Sequence, residues 1–429
     1  MGSSPSPTPA SGLLCKIRIA DRNMKRFSIE GIYAILAISA IAFIFLLSCQ
    51  LQVAPVRETE ENPGPGGGNP VTRSIYAAGS VYMGNELYKP VLWVNGTPQL
   101  LPLPEGKTEG QAFDLKVSAS KIYVAGQVKD AENTKYPSIW VVPIGSPSEA
   151  PILLAVPENH IGGDPSLTAL FVENGNIHAA GELVDMFDPQ NPQRKLAYWK
   201  NSTGPTFLPI PDPLPPNPSS PGYVGYGGMW VQEGTVYIAG VVNVDLDPDI
   251  YLPYLWKNST PIPLFMPTGI DRGRLYGAYY TGGFLYLAGY YVDGTTAVPC
   301  YWKFNIVNES STIHALSGYT PNNVNFGFTP FAEGLTVYVG GGIGIPNQDG
   351  WTPTYWKNGT PVPVPLPSGQ TGGLVTGITV KDGTVYAAGY YGDPEGIGSE
   401  GFIWKGSAKQ AVSPPTGSQG TQIYALAVE

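Results

Sequence analysis

Three aspartates alternate within one short stretch: Asp245, Asp247 and Asp249 in NVDLDPD. Carboxylate oxygens at alternate positions are the donors that Ca²⁺ takes. The stretch lacks the glycine and the closing glutamate of an EF-hand loop, so a solvated acidic loop is the competing reading. Asp185 with Asp188, and Asp393 with Glu395, repeat the idea less well. Catalytic signals are sparse. The three histidines are His160, His178 and His314, and no two have metal-ligand spacing. No nucleophile elbow, Walker loop or dinucleotide fingerprint occurs. His160 falls in a candidate loop near Glu158 and Asp164, whereas His178 and His314 fall in strands as packing groups. A carboxylate pair for glycoside chemistry is a property of three dimensions, so an enzyme stays open but is not favoured. No cofactor is expected.

A second set of candidates follows a recurrent Ala-Gly. Gln127, Glu182, Tyr290 and Tyr390 each stand directly after such a glycine, and Trp351 falls in what reads as a loop. Rings beside amides and carboxylates suit a sugar, whose apolar face stacks while its hydroxyls pair. They equally suit a protein partner, because Tyr and Trp are favoured interface anchors. Packing of loops onto the body is the third reading.

The elements that must hold these residues are repeats. An apolar strand leads through a tight polar turn to a strand ending in Tyr-x-Ala-Gly. A variable loop follows, then a strand carrying Tyr-Trp or Leu-Trp, a turn such as Lys-Asn-Gly-Thr, and a Pro-rich strand. The glycines are Gly79, Gly126, Gly181, Gly240, Gly289, Gly341 and Gly389. The tryptophans are Trp93, Trp140, Trp199, Trp256, Trp302, Trp356 and Trp404, spaced 46 to 59 residues apart. A period near 50 with four short strands is the signature of a β-propeller blade. Composition agrees: 54 glycines and 44 prolines exclude a helical bundle, and 11% aromatics with 13% charge exclude a disordered chain. A net charge of −9 argues against binding nucleic acid.

The chain ends supply a test of closure. Ile423–Glu429 matches only the first half of a repeat, and Ser74–Gly79 only the second half. The last strand should therefore complete the first blade, removing an open edge. The expectation is an all-β, seven-bladed propeller over residues 71–429, monomeric, with variable b–c and d–a loops on one face, where binding residues concentrate. The pattern resembles the kelch-type propeller, although the Gly pair occurs only at Gly340-Gly341 and Tyr-Trp-Lys replaces the usual Tyr-Asp. That resemblance implies the architecture and no partner. Asn95, Asn201, Asn258 and Asn358 match glycosylation sequons, but all sit at the c–d turn, where turn chemistry accounts for them.

Residues 1–49 read as a leader. Lys25 and Arg26 precede the apolar run Ile32–Leu47, as in a secretory signal. Leu46-Leu47-Ser48-Cys49 resembles a bacterial lipobox, which implies cleavage before Cys49 and a lipid on it; an uncleaved span is the alternative. Met24 would serve as a start as well as Met1. Cleavage removes five of 24 basic and two of 33 acidic residues, leaving 19 against 31, a net −12. Residues 50–70 read as a Pro/Gly/Glu-rich tether. Cys300 is then the remaining cysteine of the body, a small buried hydrophobe. The expected function is a lipid-anchored, non-catalytic binding module on the cell envelope, meeting a glycan or an envelope or extracellular protein. The alternative is a carbohydrate-active hydrolase or lyase using carboxylates such as Glu182 and Asp185.

Overall fold

The computed structural model describes residues 73–85, 87–160, 166–185, 193–211, 223–246, 249–348, 350–392 and 397–429. The leader, Cys49 and the tether lie outside the described residues. Among those described, no helix is long and apolar enough to cross a membrane.

Seven four-stranded antiparallel sheets follow one another along the chain. In blade 2 the strands are a (Lys107–Ser118), b (Lys121–Asp130), c (Lys135–Pro143) and d (Ile152–Leu153). The a strands of blades 3 to 7 are Ser166–Glu173, Tyr223–Gln232, Gly273–Thr281, Phe326–Glu333 and Gly373–Lys381. In blade 1 strand a is Gly420–Val428, which pairs antiparallel with Ile75–Tyr82 from Ile75↔Val428 to Tyr82↔Gly420. Each a strand packs against the a strand of the next blade, and the seventh against the first. The ring is thus all-β, seven-bladed and closed by the last strand, as the half-repeats require.

Turn residues set the hairpins. Asn174-Gly175, Glu233-Gly234 and Asp382-Gly383 at a–b turns have φ of 50–51° and 72–77°, the two positive angles of a type I′ turn. The sequon asparagines Asn95, Asn201, Asn258 and Asn358 have φ of 45–51°. Each Oδ1 accepts the N–H that opens strand b, from Ile75, Ile177, Val236 and Val337, at 2.8–2.9 Å.

The repeat tryptophans join blade to blade. Six of them, from Trp93 to Trp356, are at most 1% exposed. Each indole N–H donates to a backbone carbonyl just past strand d of the preceding blade, namely Ser413, Pro102, Ala155, Pro209, Phe265 and Ser317, at 2.8–2.9 Å. Blade 7 inserts a relay: Trp404 donates to the Tyr391 hydroxyl at 2.8 Å, which donates to the Pro365 carbonyl at 3.1 Å. Such a bond is worth about 0.5–1.5 kcal/mol, and a stranded buried carbonyl costs more.

The repeat glycines have a separate cause. A Cβ built on Gly79, Gly126, Gly289, Gly341 or Gly389 would lie 1.8–2.0 Å from the carbonyl oxygen of Gln422, Gln111, Arg274, Phe326 or Leu374, all on strand a. In all seven blades the a–b ladder slips by one residue at that point. The extra residues are Tyr424, Phe113, Thr168, Gly227, Tyr276, Phe328 and Thr376 in blades 1 to 7. The glycine therefore seats a β-bulge, and a bulge re-aims one side chain, here toward the axis.

Two loops expected from the sequence are mostly strand. In blade 4 the b–c ladder continues through Val241↔Pro253, Val242↔Leu252 and Asn243↔Tyr251 to Leu246↔Asp249. The apolar and β-branched residues around the aspartates carry it outward. Trp351 opens strand c of blade 6 and pairs with Gly344 instead of lying in the b–c loop.

Candidate functional site

The bulge also defines the level at which the sequence candidates stand. The residue after each repeat glycine pairs directly with the strand-a residue on the loop-face side of the bulge. The pairs include Gln127↔Gln111, Glu182↔Ser166, Tyr290↔Arg274 and Tyr390↔Leu374. Gln127, Glu182, Tyr290 and Tyr390 thus occupy equivalent positions in four blades, around the loop-face end of the channel.

Their chemistry differs from blade to blade. Glu182 is 7% exposed, and Arg194 Nη1 donates to its Oε2 at 3.2 Å. Tyr290 packs edge-on to Phe326 at 5.7 Å, beside Arg274, whose guanidinium lies 4.3 Å from the Tyr251 ring. Burial pushes the Tyr290 and Tyr276 phenols up, so both are neutral hydroxyls at physiological pH. Tyr390 is buried, its ring 6.2 Å from Tyr424. Trp351 is half-buried, packs tilted against Phe326 at 5.1 Å and donates its indole N–H to the Val324 carbonyl at 2.9 Å. Its geometry in this structure is that of packing.

Gln127 is different. Its Nε2 donates to Gln111 Oε1 at 3.0 Å, while its own Oε1 is buried and accepts no bond among the described residues. It lines a cavity of about 440 Å³ between blades 1 and 2. The wall includes Tyr82 and Tyr88, with ring centroids 5.4 Å apart, and Glu109 paired with Lys129 at 2.7 Å. Lys135, from strand c of blade 2, and Ile397, from blade 7, complete it. The b–c turn behind it is held by Asp130. Its Oδ1 accepts the Thr134 N–H at 2.8 Å, and its Oδ2 accepts the Tyr136 hydroxyl at 2.9 Å and Lys107 Nζ at 3.2 Å. Burial alone would raise the Asp130 carboxyl; these donors outweigh it and hold the group below the usual range.

Gln111, Tyr82, Tyr88, Glu109 and Lys129 were not singled out by sequence reasoning. Their signal was the glycine at 126, which marks where strands a and b press together.

The metal expectation is not assembled in what is described. Asp245 and Asp249 sit on the ends of paired strands, and Asp247 lies outside the described residues. Among described residues no group of three His, Cys, Asp or Glu could hold a metal. The histidines pack: His178 Nδ1 lies 2.7 Å from the Tyr198 hydroxyl, His160 stacks on Phe207 at 4.8 Å and His314 on Tyr301 at 4.7 Å. Cys300 is fully buried, and burial pushes its thiol up.

No family model matches this chain, and no curated protein does. Among solved structures it is similar to a polysaccharide lyase (ulvan lyase) at 12% identity. That match covers 59% of this chain and 67% of that one, with a TM-score of 0.41. It is similar to a Trypanosoma rangeli sialidase mutant with trans-sialidase activity at 8% identity, covering 82% and 56%, with a TM-score of 0.46. The β-propeller domain of the Trilobed protease from Pyrococcus furiosus matches at 10% identity, covering 80% and 93%, with a TM-score of 0.45. At these identities the likenesses say nothing of ligands.

Proposed function

We propose that this protein is a carbohydrate-recognising propeller whose ligand enters the loop-face pocket between blades 1 and 2. The observation that carries the reading is Gln127: it has a buried amide oxygen without a donor and lines a cavity whose wall also includes the Tyr82–Tyr88 ring pair. A sugar supplies a hydroxyl for the oxygen, and its apolar ring face suits a wall that carries two tyrosine rings. The cavity falls within the usual size of small-ligand sites. On the same reading the propeller is exported and held at a membrane by a lipid on Cys49, with residues 50–70 as tether.

One observation favours catalysis as a second reading. Lys135, and Lys129 paired with Glu109, line the pocket together with Tyr82 and Tyr88. Elimination from a uronate needs a cation beside the carboxylate and a base for the adjacent C–H proton. Hydrolysis by two carboxylates finds less support, because Glu109 is the one carboxylate among the described residues of the wall and Glu182 is committed to Arg194.

The test is calorimetric titration of the full-length chain with neutral and uronate-bearing oligosaccharides, followed by ultraviolet absorbance for an unsaturated product. Gln127→Ala should weaken the best ligand about tenfold or more. Appearance of product would establish the second reading. Binding indifferent to Gln127→Ala would sink the pocket as the site.

A further inference from the structure

The bulged residues do not fill the channel evenly. Blades 5 and 6 send in Tyr276 and Phe328, which stack at 5.0 Å with planes 9° apart. Blades 1 and 2 send in Tyr424 and Phe113, with centroids 5.7 Å apart. Blades 3 and 4 contribute only Thr168 and Gly227 at the same level. One step toward the a–b turns, three residues past the bulge, the side chains are Phe171, Trp230, Tyr279 and Phe331 in blades 3 to 6. These rings form a continuous arc, with neighbours 4.5, 5.5 and 4.6 Å apart. A cavity of about 320 Å³ lies between the bulge level and the a–b turn end, lined in part by Trp230, Tyr279, Phe331 and Thr168.

Two buried polar atoms on this wall have no partner among the described residues: Trp230 Nε1 and Thr168 Oγ1. They come from adjacent blades, on the side where the bulges are small. The charged pair beside Thr168 is already matched. Asp114 accepts Lys116 Nζ at 2.8 Å and the N–H groups of Leu115 and Leu170 at 2.8 and 2.9 Å. The Thr376 hydroxyl donates to the Ile423 carbonyl at 2.6 Å. What is left open is one indole donor, one hydroxyl and an aromatic wall, with the C-terminal Glu429 and its carboxylates on the same lining.

We infer that the central channel holds a second binding site, reached from the a–b turn face, for a neutral sugar ring. The indole N–H requires an acceptor oxygen, which a ring oxygen or hydroxyl supplies. The arc requires an apolar face to cover it. Water meets only the first need: two open partners are the fewest an ordered water takes, and it offers no apolar face to the arc. An anionic ligand would find no counter-charge, because Lys116 is taken by Asp114 and the remaining charged residue of the lining, Glu429, is itself acidic. This site is separate from the loop-face pocket and stands or falls without it.

The test uses the full-length chain labelled with ¹⁵N at tryptophan. The Trp230 indole resonance is identified by its loss in Trp230→Phe, which keeps a ring and removes the donor. D-glucose, D-galactose and N-acetyl-D-glucosamine are titrated first, then short neutral oligosaccharides, which separates a free monosaccharide from a chain end. The expected result is a shift of the Trp230 resonance with at least one of these. Affinity measured by calorimetry should fall about tenfold in Trp230→Phe and several-fold in the isosteric Thr168→Val, with Gln127→Ala unaffected. The melting temperature of Thr168→Val, matched to wild type, separates lost binding from lost fold. No shift with any of these sugars, or binding unchanged in both channel variants, would overturn the inference.

Discussion

Gly289→Ala isolates the link between the repeat glycine and the bulge. The added Cβ would lie 1.8 Å from the Arg274 carbonyl oxygen and 2.9 Å from its carbon. Both atoms are backbone, so no side chain can swing aside, and strand a must retreat by more than an ångström. Overpacking a core by one methyl costs about 1–3 kcal/mol, and a rigid neighbour places this case near the upper end. The ring spans Thr72–Glu429. At 2.1 cal/mol/K per residue its unfolding entropy is about 0.75 kcal/mol/K, so 3 kcal/mol lowers Tm by about 4 °C. Gly283→Ala is the control: its φ is 83° with nothing within 4 Å, so it carries left-handed strain of about 1–2 kcal/mol and no collision. Scanning calorimetry reads both. Near-ultraviolet circular dichroism adds a local readout, because a displaced bulge separates Tyr276 from Phe328 in Gly289→Ala only. If Gly289→Ala melts within about 1 °C of wild type with an unchanged aromatic spectrum, the bulge is not what the glycine accommodates.

Two further expectations concern the body and its address. His178 is 3% exposed; burial and then Lys200 hold its pKa below the ordinary 6.5, against a smaller opposing pull from Glu173. The unfolded chain therefore takes up a proton near pH 6.5 that the folded chain resists, so this group destabilises the fold as pH falls from about 7 toward 5. Urea midpoints at the two pH values should differ less in His178→Phe than in wild type; an equal difference would remove His178 from the account. Cys49→Ala should abolish lipid labelling and release the protein to the soluble fraction, whereas unchanged membrane retention would favour an uncleaved span.

Blade number and closure were legible because they are written in residues that recur from blade to blade. In every blade an indole reaches the preceding blade, directly or through Tyr391, and a glycine seats a bulge; in four blades an asparagine also accepts an N–H at the start of strand b. They recur whatever the blade binds. The pocket and the channel were not legible for the converse reason. The strand-a position that pairs with Gln127, Glu182, Tyr290 and Tyr390 reads Gln111, Ser166, Arg274 and Leu374 in those blades, with no shared letter to find. The bulge then shifts the alternation by one, so counting every second residue assigns Phe113 or Tyr276 to the wrong face. Acidic and proline residues made the stretch around Asp245 and Asp249 read as loop, where cross-strand pairing carried the ladder on. The conserved geometry of each bulge and the variable residue it delivers are thus two outputs of one device. Seven identical backbone seats set out a ring of positions whose chemistry each blade varies alone. The ligand specificity of this propeller is therefore expected to follow the residues next to the bulges more closely than the repeat residues that build the ring.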